Sequence, residues 1–169
     1  MRTILSAAIA AAILTAAGGA SAATTTTTFA VTATVQKTCS VSANALAFGN
    51  YTPGAGALTG NTALSVKCTK TTPFTVALNG GTTTAGTVAQ RLMAAATGTD
   101  TLQYNLYTTA ALTTVFGDGS GTSATVPGTG AGVSTASTVN VYGQLPDNVT
   151  NQAATPVNYS DTITVTVTY

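Results

Sequence analysis

The stretch from Tyr159 to Tyr169 alternates at period two to its last residue. Ile163, Val165, Val167 and Tyr169 fall on one side, and Thr162, Thr164, Thr166 and Thr168 on the other. That pattern predicts a β-strand with its apolar side on a core. Asp161 alone interrupts the apolar side, and its place near the strand's start is where water reaches it. No turn and no further strand follow. If this strand lies at a sheet edge, its unpaired N–H and C=O groups invite another strand.

A second alternation sets Phe29, Val31, Ala33 and Val35 against Ala30, Thr32, Thr34 and Gln36. Thr24 to Thr28 is β-branched but polar on both faces, so it has no core to join. Further strands are expected at Ala45–Phe48, Ala63–Cys68, Phe74–Leu78, Leu102–Thr108, Thr122–Val126 and Thr138–Leu145. Turn residues punctuate them: Gly49-Asn50, Pro53-Gly54, Asn79-Gly80-Gly81 and Asp118-Gly119. Only Val88–Ala96 has room for a turn or two of helix. Short strands divided by Gly, Pro and Asn imply an all-β sandwich or barrel.

Met1-Arg2-Thr3, an apolar run from Ile4 to Ala17, and Ala20-Ser21-Ala22 form a cleavable export signal over residues 1–22. The run is about 14 residues, short of the ~20 a membrane-spanning helix needs. Removing the signal from 169 residues leaves 147, enough for one domain and a tail, with no membrane span after cleavage. Lys37, Lys67, Lys70 and Arg91 then balance Asp100, Asp118, Asp147 and Asp161. So neutral a chain has no electrostatic footprint for nucleic acid or an acidic membrane. It also has little charge to keep copies of itself apart.

Cys39 and Cys68, an even count behind an export signal, read as a disulfide worth roughly 3–4 kcal/mol by loop entropy. Two cysteines without a histidine are too few for a metal site, and a thiol nucleophile would lack its imidazole base. General acid–base catalysis has no histidine either, and the four Asp are scattered. Gly117-Asp118-Gly119-Ser120-Gly121 has a phosphate loop's glycines without its lysine. No catalytic, cofactor or metal residue emerges, and the chain is not expected to be an enzyme. Asn50, Asn148 and Asn158 begin glycosylation-like triplets, expected by chance in so Asn- and Thr-rich a chain.

Several runs together resemble the spore coat protein U family, to which subunits of archaic (Csu-type) chaperone–usher pili belong. They are Phe29–Val35, Thr38-Cys39-Ser40-Val41, Leu46–Tyr51, Val66-Lys67-Cys68, Pro73–Gly80, Leu102–Tyr107, Val141-Tyr142-Gly143 and Tyr159–Val165. The resemblance implies an immunoglobulin-like β-sandwich lacking its last strand. It divides the mature chain into a donor-strand extension, residues 23–37, and a pilin domain, residues 38–169. A periplasmic chaperone would fill the gap first. An outer-membrane usher would export the subunit to the cell surface, and a neighbouring copy or sister pilin would then replace the chaperone. On that resemblance Phe29, Val31, Ala33 and Val35 are the donor plugs. Ile163, Val165 and Val167 form a wall of the acceptor groove, opposite the first strand after Cys39. The Tyr169 carboxylate would anchor to basic residues of the chaperone. Subunits of the better-known pilus branch have a penultimate tyrosine and a glycine about 14 residues from the end. Here tyrosine is terminal and Pro156 stands at the glycine's place, which favours the archaic branch. Without length for a binding domain, a rod subunit is expected rather than a tip adhesin. The alternative is a self-sufficient secreted coat protein of the same family, with its N-terminal segment paired within its own chain. A sugar-binding module would need a cluster of exposed aromatic or Asn/Asp side chains that the sequence does not concentrate.

Overall fold

The computed structural model describes residues 21–169. The predicted signal's charged start and apolar run lie outside the described residues. The chain divides into two units between Thr34 and Val35. In the first, Ser21 to Thr34 carries no secondary structure and every residue is exposed, so the alternation from Phe29 forms no strand here.

The second unit holds nine strands among the described residues, named β1 to β9. They are β1 Cys39–Ala43, β2 Leu58–Cys68, β3 Pro73–Leu78, β4 Arg91–Ala95, β5 Thr101–Tyr107, β6 Val126–Thr129, β7 Ser137–Leu145, β8 Tyr159–Ser160 and β9 Val165–Thr168. A short helix, α1 Val149–Gln152, precedes β8 and is capped by the Asn148 side chain accepting from the Asn151 N–H. One sheet has the order β1-β2-β7-β5-β4-β8 and the other β6-β3-β9. Every pairing between strands is antiparallel. The all-β sandwich expected from the sequence is the fold found.

Period-two burial builds the core. Leu64, Val66 and Cys68 of β2, Val139 and Val141 of β7, and Tyr104 and Leu106 of β5 face Phe74, Val76 and Leu78 of β3. Phe116 is buried among them. Cys39 lies opposite Cys68 in the β1–β2 register and is bonded to it, so the disulfide holds the first strand to its neighbour.

Four expectations of local structure in this unit are corrected. Val88–Ala96 is not helical; Arg91 to Ala95 is β4, paired on both sides. Thr122–Val126 gives way to β6, four residues starting at Val126, because that register lays Gly128 against the Phe74 ring. Ala45–Phe48 is not a strand. Leu46 and Phe48 instead lie over Gly60 and Gly143, which face each other across β2 and β7. A Cβ on Gly143 would come within 2.9 Å of the Phe48 ring, so the glycine pair hollows a seat for these two side chains.

The final alternating segment is not one strand but two. Tyr159-Ser160 joins β4 in the large sheet, whereas Val165–Thr168 joins β3 in the small one. Between them Asp161 accepts from the backbone N–H groups of Thr82 (2.9 Å) and Thr83 (3.1 Å). Thr164 N–H donates to the Asn79 side-chain oxygen at 2.9 Å, and Asn79 N–H returns a bond to the Thr164 carbonyl. The Asn79 side chain and backbone thus take the place of a ladder partner for Thr164 where the chain switches sheets. Gly81, at φ +93°, is required at this place, since a Cβ there would collide with the Asp161 carboxylate.

Candidate functional site: an open seam between two sheet edges

β1 ends the large sheet and β9 ends the small one, and each pairs with only one strand among the described residues. Directly opposed residues of an antiparallel pair point to the same face. Val41 opposes Val66 and Ala43 opposes Leu64, so β1 aims both side chains inward. Yet Val66 is fully buried while Val41 is 38% exposed and Ala43 is exposed. The same holds across the seam. Val167 opposes Val76 and Val165 opposes Leu78, and the β3 residues are buried while those of β9 are half-buried. Inward-facing side chains on both edges therefore lack cover.

A cavity of about 450 Å³ opens along this seam, lined by Ala43, Leu46, Leu64, Leu78, Ile163 and Val165. Leu46 and Phe48 close one end, with the Phe48 ring edge-on to Tyr104 at 6.1 Å. The lining is more apolar than polar, with Asn44, Thr62, Ser160 and Thr162 among its polar members, and its carboxylate, Asp161, is bound to its own chain. Beyond the two amides it accepts from both Thr82 and Thr83 hydroxyls at 3.2 Å and from the Tyr104 hydroxyl at 2.6 Å. Burial pushes its pKa up, but the Tyr104 hydroxyl and the threonine amides outweigh this and hold it below the usual carboxylate range. Burial and the same bond push Tyr104 far above the ordinary tyrosine value.

Behind the seam sits Arg91, fully buried in β4. Its Nε donates to the Asn79 carbonyl at 2.9 Å, one terminal nitrogen to Asn105 Oδ1 at 2.6 Å and the other to the Phe116 carbonyl at 2.8 Å. Burial lowers its pKa from the ordinary arginine value. Because Asn79 brackets Thr164, Arg91 indirectly fixes where β9 begins.

Ile163, Val165 and Val167 thus stand together at the seam, alternating with exposed Thr162, Thr164, Thr166 and Thr168. Tyr169 does not join them. It is 55% exposed and follows the end of β9 at Thr168, beside Pro73, Thr75 and Pro127, away from the cavity that Ile163 and Val165 line. Phe29, Val31 and Val35 are 86%, 83% and 85% exposed, and Ala33 is exposed too. The roles of Asp161 and Arg91 went unread in the sequence. Asp161 is not simply solvated but half-buried and hydrogen-bonded. The available signals were a lone Asp on an apolar strand face and the mature chain's sole Arg among Leu, Met and Ala.

The family model described as the spore coat protein U domain matches residues 25–166. Among solved structures, one similar chain comes from the crystal structure of the CsuC–CsuE chaperone–tip adhesion subunit pre-assembly complex from archaic chaperone–usher Csu pili of Acinetobacter baumannii. The TM-score is 0.56 at 20% identity, covering 80% of this chain and 41% of that one, so the likeness is one of fold. No curated protein matches.

Proposed function

The chain belongs to the spore coat protein U domain family, and from that premise we propose that it is a structural, non-catalytic subunit of a chaperone–usher surface pilus, assembled by strand exchange. The observation that carries this reading is the seam: two edges, one from each sheet, whose inward side chains wait for the same missing strand. The occupant is residues 23–37 of a second copy or a sister subunit, with Phe29, Val31, Ala33 and Val35 as plugs. Before assembly a periplasmic chaperone fills the seam, with the Tyr169 carboxylate as its anchor, and an outer-membrane usher exports the subunit. Each copy offers a strand at one place and accepts one at another, so the contact is head-to-tail and propagates into a fibre. Attachment of cells to surfaces and biofilm formation follow as the fibre's service.

The energies favour a mode in which backbone and side chains both contribute. Burying Phe29, Val31 and Val35 contributes about 1.5–3 kcal/mol each. Ordering the seven residues from Phe29 to Val35 costs about 1–2 kcal/mol apiece. The ordering cost, about 7–14 kcal/mol, exceeds the burial gain of about 4.5–9 kcal/mol, so ladder bonds to the open edges, about 0.5–1.5 kcal/mol each, decide the outcome.

The test is light scattering after size exclusion on the mature chain with and without residues 23–35. Long, heat-resistant polymers from the first alone support the reading. A stable monomer that unfolds when residues 23–35 are removed replaces it with a self-completed coat protein. Phe29→Asp with Val31→Asp is expected to block polymers while sparing chaperone capture, and normal fibres from that double variant would remove the donor assignment.

A further inference from the structure

The alternation of the exposed N-terminal segment and that of the seam wall fit each other in one way. Resting on the strand-exchange reading above, we propose that the incoming copy's segment pairs with β9 in a single antiparallel register, fixed by its Lys37 meeting Asp161 at the far end of the seam.

In this register Phe29 lies opposite Tyr169, Val31 opposite Val167, Ala33 opposite Val165, Val35 opposite Ile163, and Lys37 opposite Asp161. The intervening Ala30, Thr32, Thr34 and Gln36 meet Thr168, Thr166, Thr164 and Thr162, the exposed side of the wall. Side chains on the two strands then share faces throughout, as period-two pairing demands. The pairing also brings the exposed Phe29 alongside the exposed Tyr169.

Neighbouring registers are worse. Moving the incoming strand two residues one way sets Val35 against the Asp161 carboxylate. Moving it the other way sets the Lys37 ammonium on Ile163 and leaves Phe29 beyond the end of the wall. Reversing the strand can match the apolar residues, but it puts Thr27 opposite Asp161 and Lys37 at the opposite end of the wall from that carboxylate. Antiparallel pairing also continues the arrangement of every strand pair in both sheets.

Charge completes the match. Asp161 is the carboxylate of the cavity lining, and its hydrogen bonds come from neutral donors: two amides and three hydroxyls. Arg91, the buried cation behind it, spends its donors on Asn79, Val88, Asn105 and Phe116. From Ala23 to Gln36 the incoming segment has no charged side chain, and Lys37 is its first. A pair at the seam's end acts on register and partner choice more than on bulk affinity.

The experiment mixes isotope-labelled and unlabelled full mature chains, lets them polymerise, and treats them with a zero-length carbodiimide that joins amines to carboxylates. Peptide mass spectrometry is expected to find Lys37 joined to Asp161 with mixed labels. Lys37→Glu, on an exposed segment, is expected to slow assembly about tenfold, the factor that ~1.4 kcal/mol produces. Adding Asp161→Asn to that chain is expected to restore the rate to within about twofold. Polymers that lack the Lys37–Asp161 link, or a Lys37→Glu chain assembling at the wild-type rate, would overturn the register and leave strand exchange standing. Absence of polymers, or a link confined to single-label peptides, would overturn strand exchange itself and the register with it.

Discussion

Replacing Arg91 by Met tests whether the acceptor edge is held from behind. Met preserves much of the buried stem but removes the guanidinium, leaving the Asn79 and Phe116 carbonyls and Asn105 Oδ1 without their charged donor. Asn105 Oδ1 keeps the Leu106 N–H, so two carbonyls are stripped of their partner, at about 1–3 kcal/mol each and roughly 2–6 kcal/mol together. Against this, the variant no longer desolvates a charge, which returns part of the loss. The net expectation is about 2–4 kcal/mol, a large fraction of the stability of an ordinary domain. At about 2–4 °C per kcal/mol for a chain of this size, the melting temperature falls by roughly 5–15 °C. Far-UV circular dichroism of the oxidised monomer fraction measures it. Arg91→Lys is expected to recover less than half, because one ammonium does not reproduce the planar fork that reaches three separated oxygens. Strand acceptance weakens alongside, since Asn79 brackets Thr164 where β9 begins. A melting temperature for Arg91→Met within about 2 °C of wild type would refute the assignment of Arg91 as the pin.

Four further outcomes are expected. Replacing Cys39 and Cys68 together by Ser opens a bridge spanning 29 residues and lowers unfolding free energy by about 3–4 kcal/mol; a loss under ~1 kcal/mol in denaturant titration would refute it. The Asp147 carboxylate accepts from the Tyr51 hydroxyl and the Gly54, Gly56 and Gln152 N–H groups, which hold its pKa down at about 2. A depressed carboxylate stabilises above its unfolded value of about 4 and loses that contribution as pH falls toward 2. Wild-type stability is therefore expected to drop faster than that of Asp147→Asn over this window, and parallel curves would refute the latch. Partial burial and the same bond raise Tyr51 to about 12, so its contribution persists to about pH 10 and fades as pH rises toward 12. Gly143→Ala forces a Cβ to within 2.9 Å of the Phe48 ring, costing about 1–3 kcal/mol of overpacking. Phe48→Leu in the same chain is expected to return part of the lost melting temperature.

Much of the sandwich was legible because its strands keep period two where one face is buried. β3, β5 and β7 lie within a residue of their predicted limits at most ends, each bounded by turn residues or a change of pattern. The failures share a cause: long-range partners that local pattern does not encode. Ala45–Phe48 has a strand's composition, but two glycines roughly a dozen and a hundred residues away make it a lid. Val88–Ala96 lacks clean alternation because Arg91 points inward to oxygens contributed by distant loops. The break after Ser160 was invisible because the apolar alternation runs on without pause while the hydrogen-bond partners change from β4 to Asn79, Thr82 and β3. That Ile163, Val165 and Val167 share one face was readable from their alternation. That their inward faces stay half-open follows only from the sheet order.

Edge strands are ordinarily protected by charge, proline or a bulge. β9 turns only threonine outward, and β1 turns Ser40 and Ser42, so neither edge repels a strand that approaches it. The nearest charge on the wall is Asp161, set before β9 begins and held by five donors of its own chain. A free carboxylate would block any apolar strand, whereas one already hydrogen-bonded need not be desolvated afresh when a strand arrives. It then discriminates by what stands opposite: an apolar plug there loses, and a lysine two residues past the last plug gains. On the proposed register, a neutral seam ending in one anchored charge is open to strands in general and selective for the one whose plugs stop at Val35.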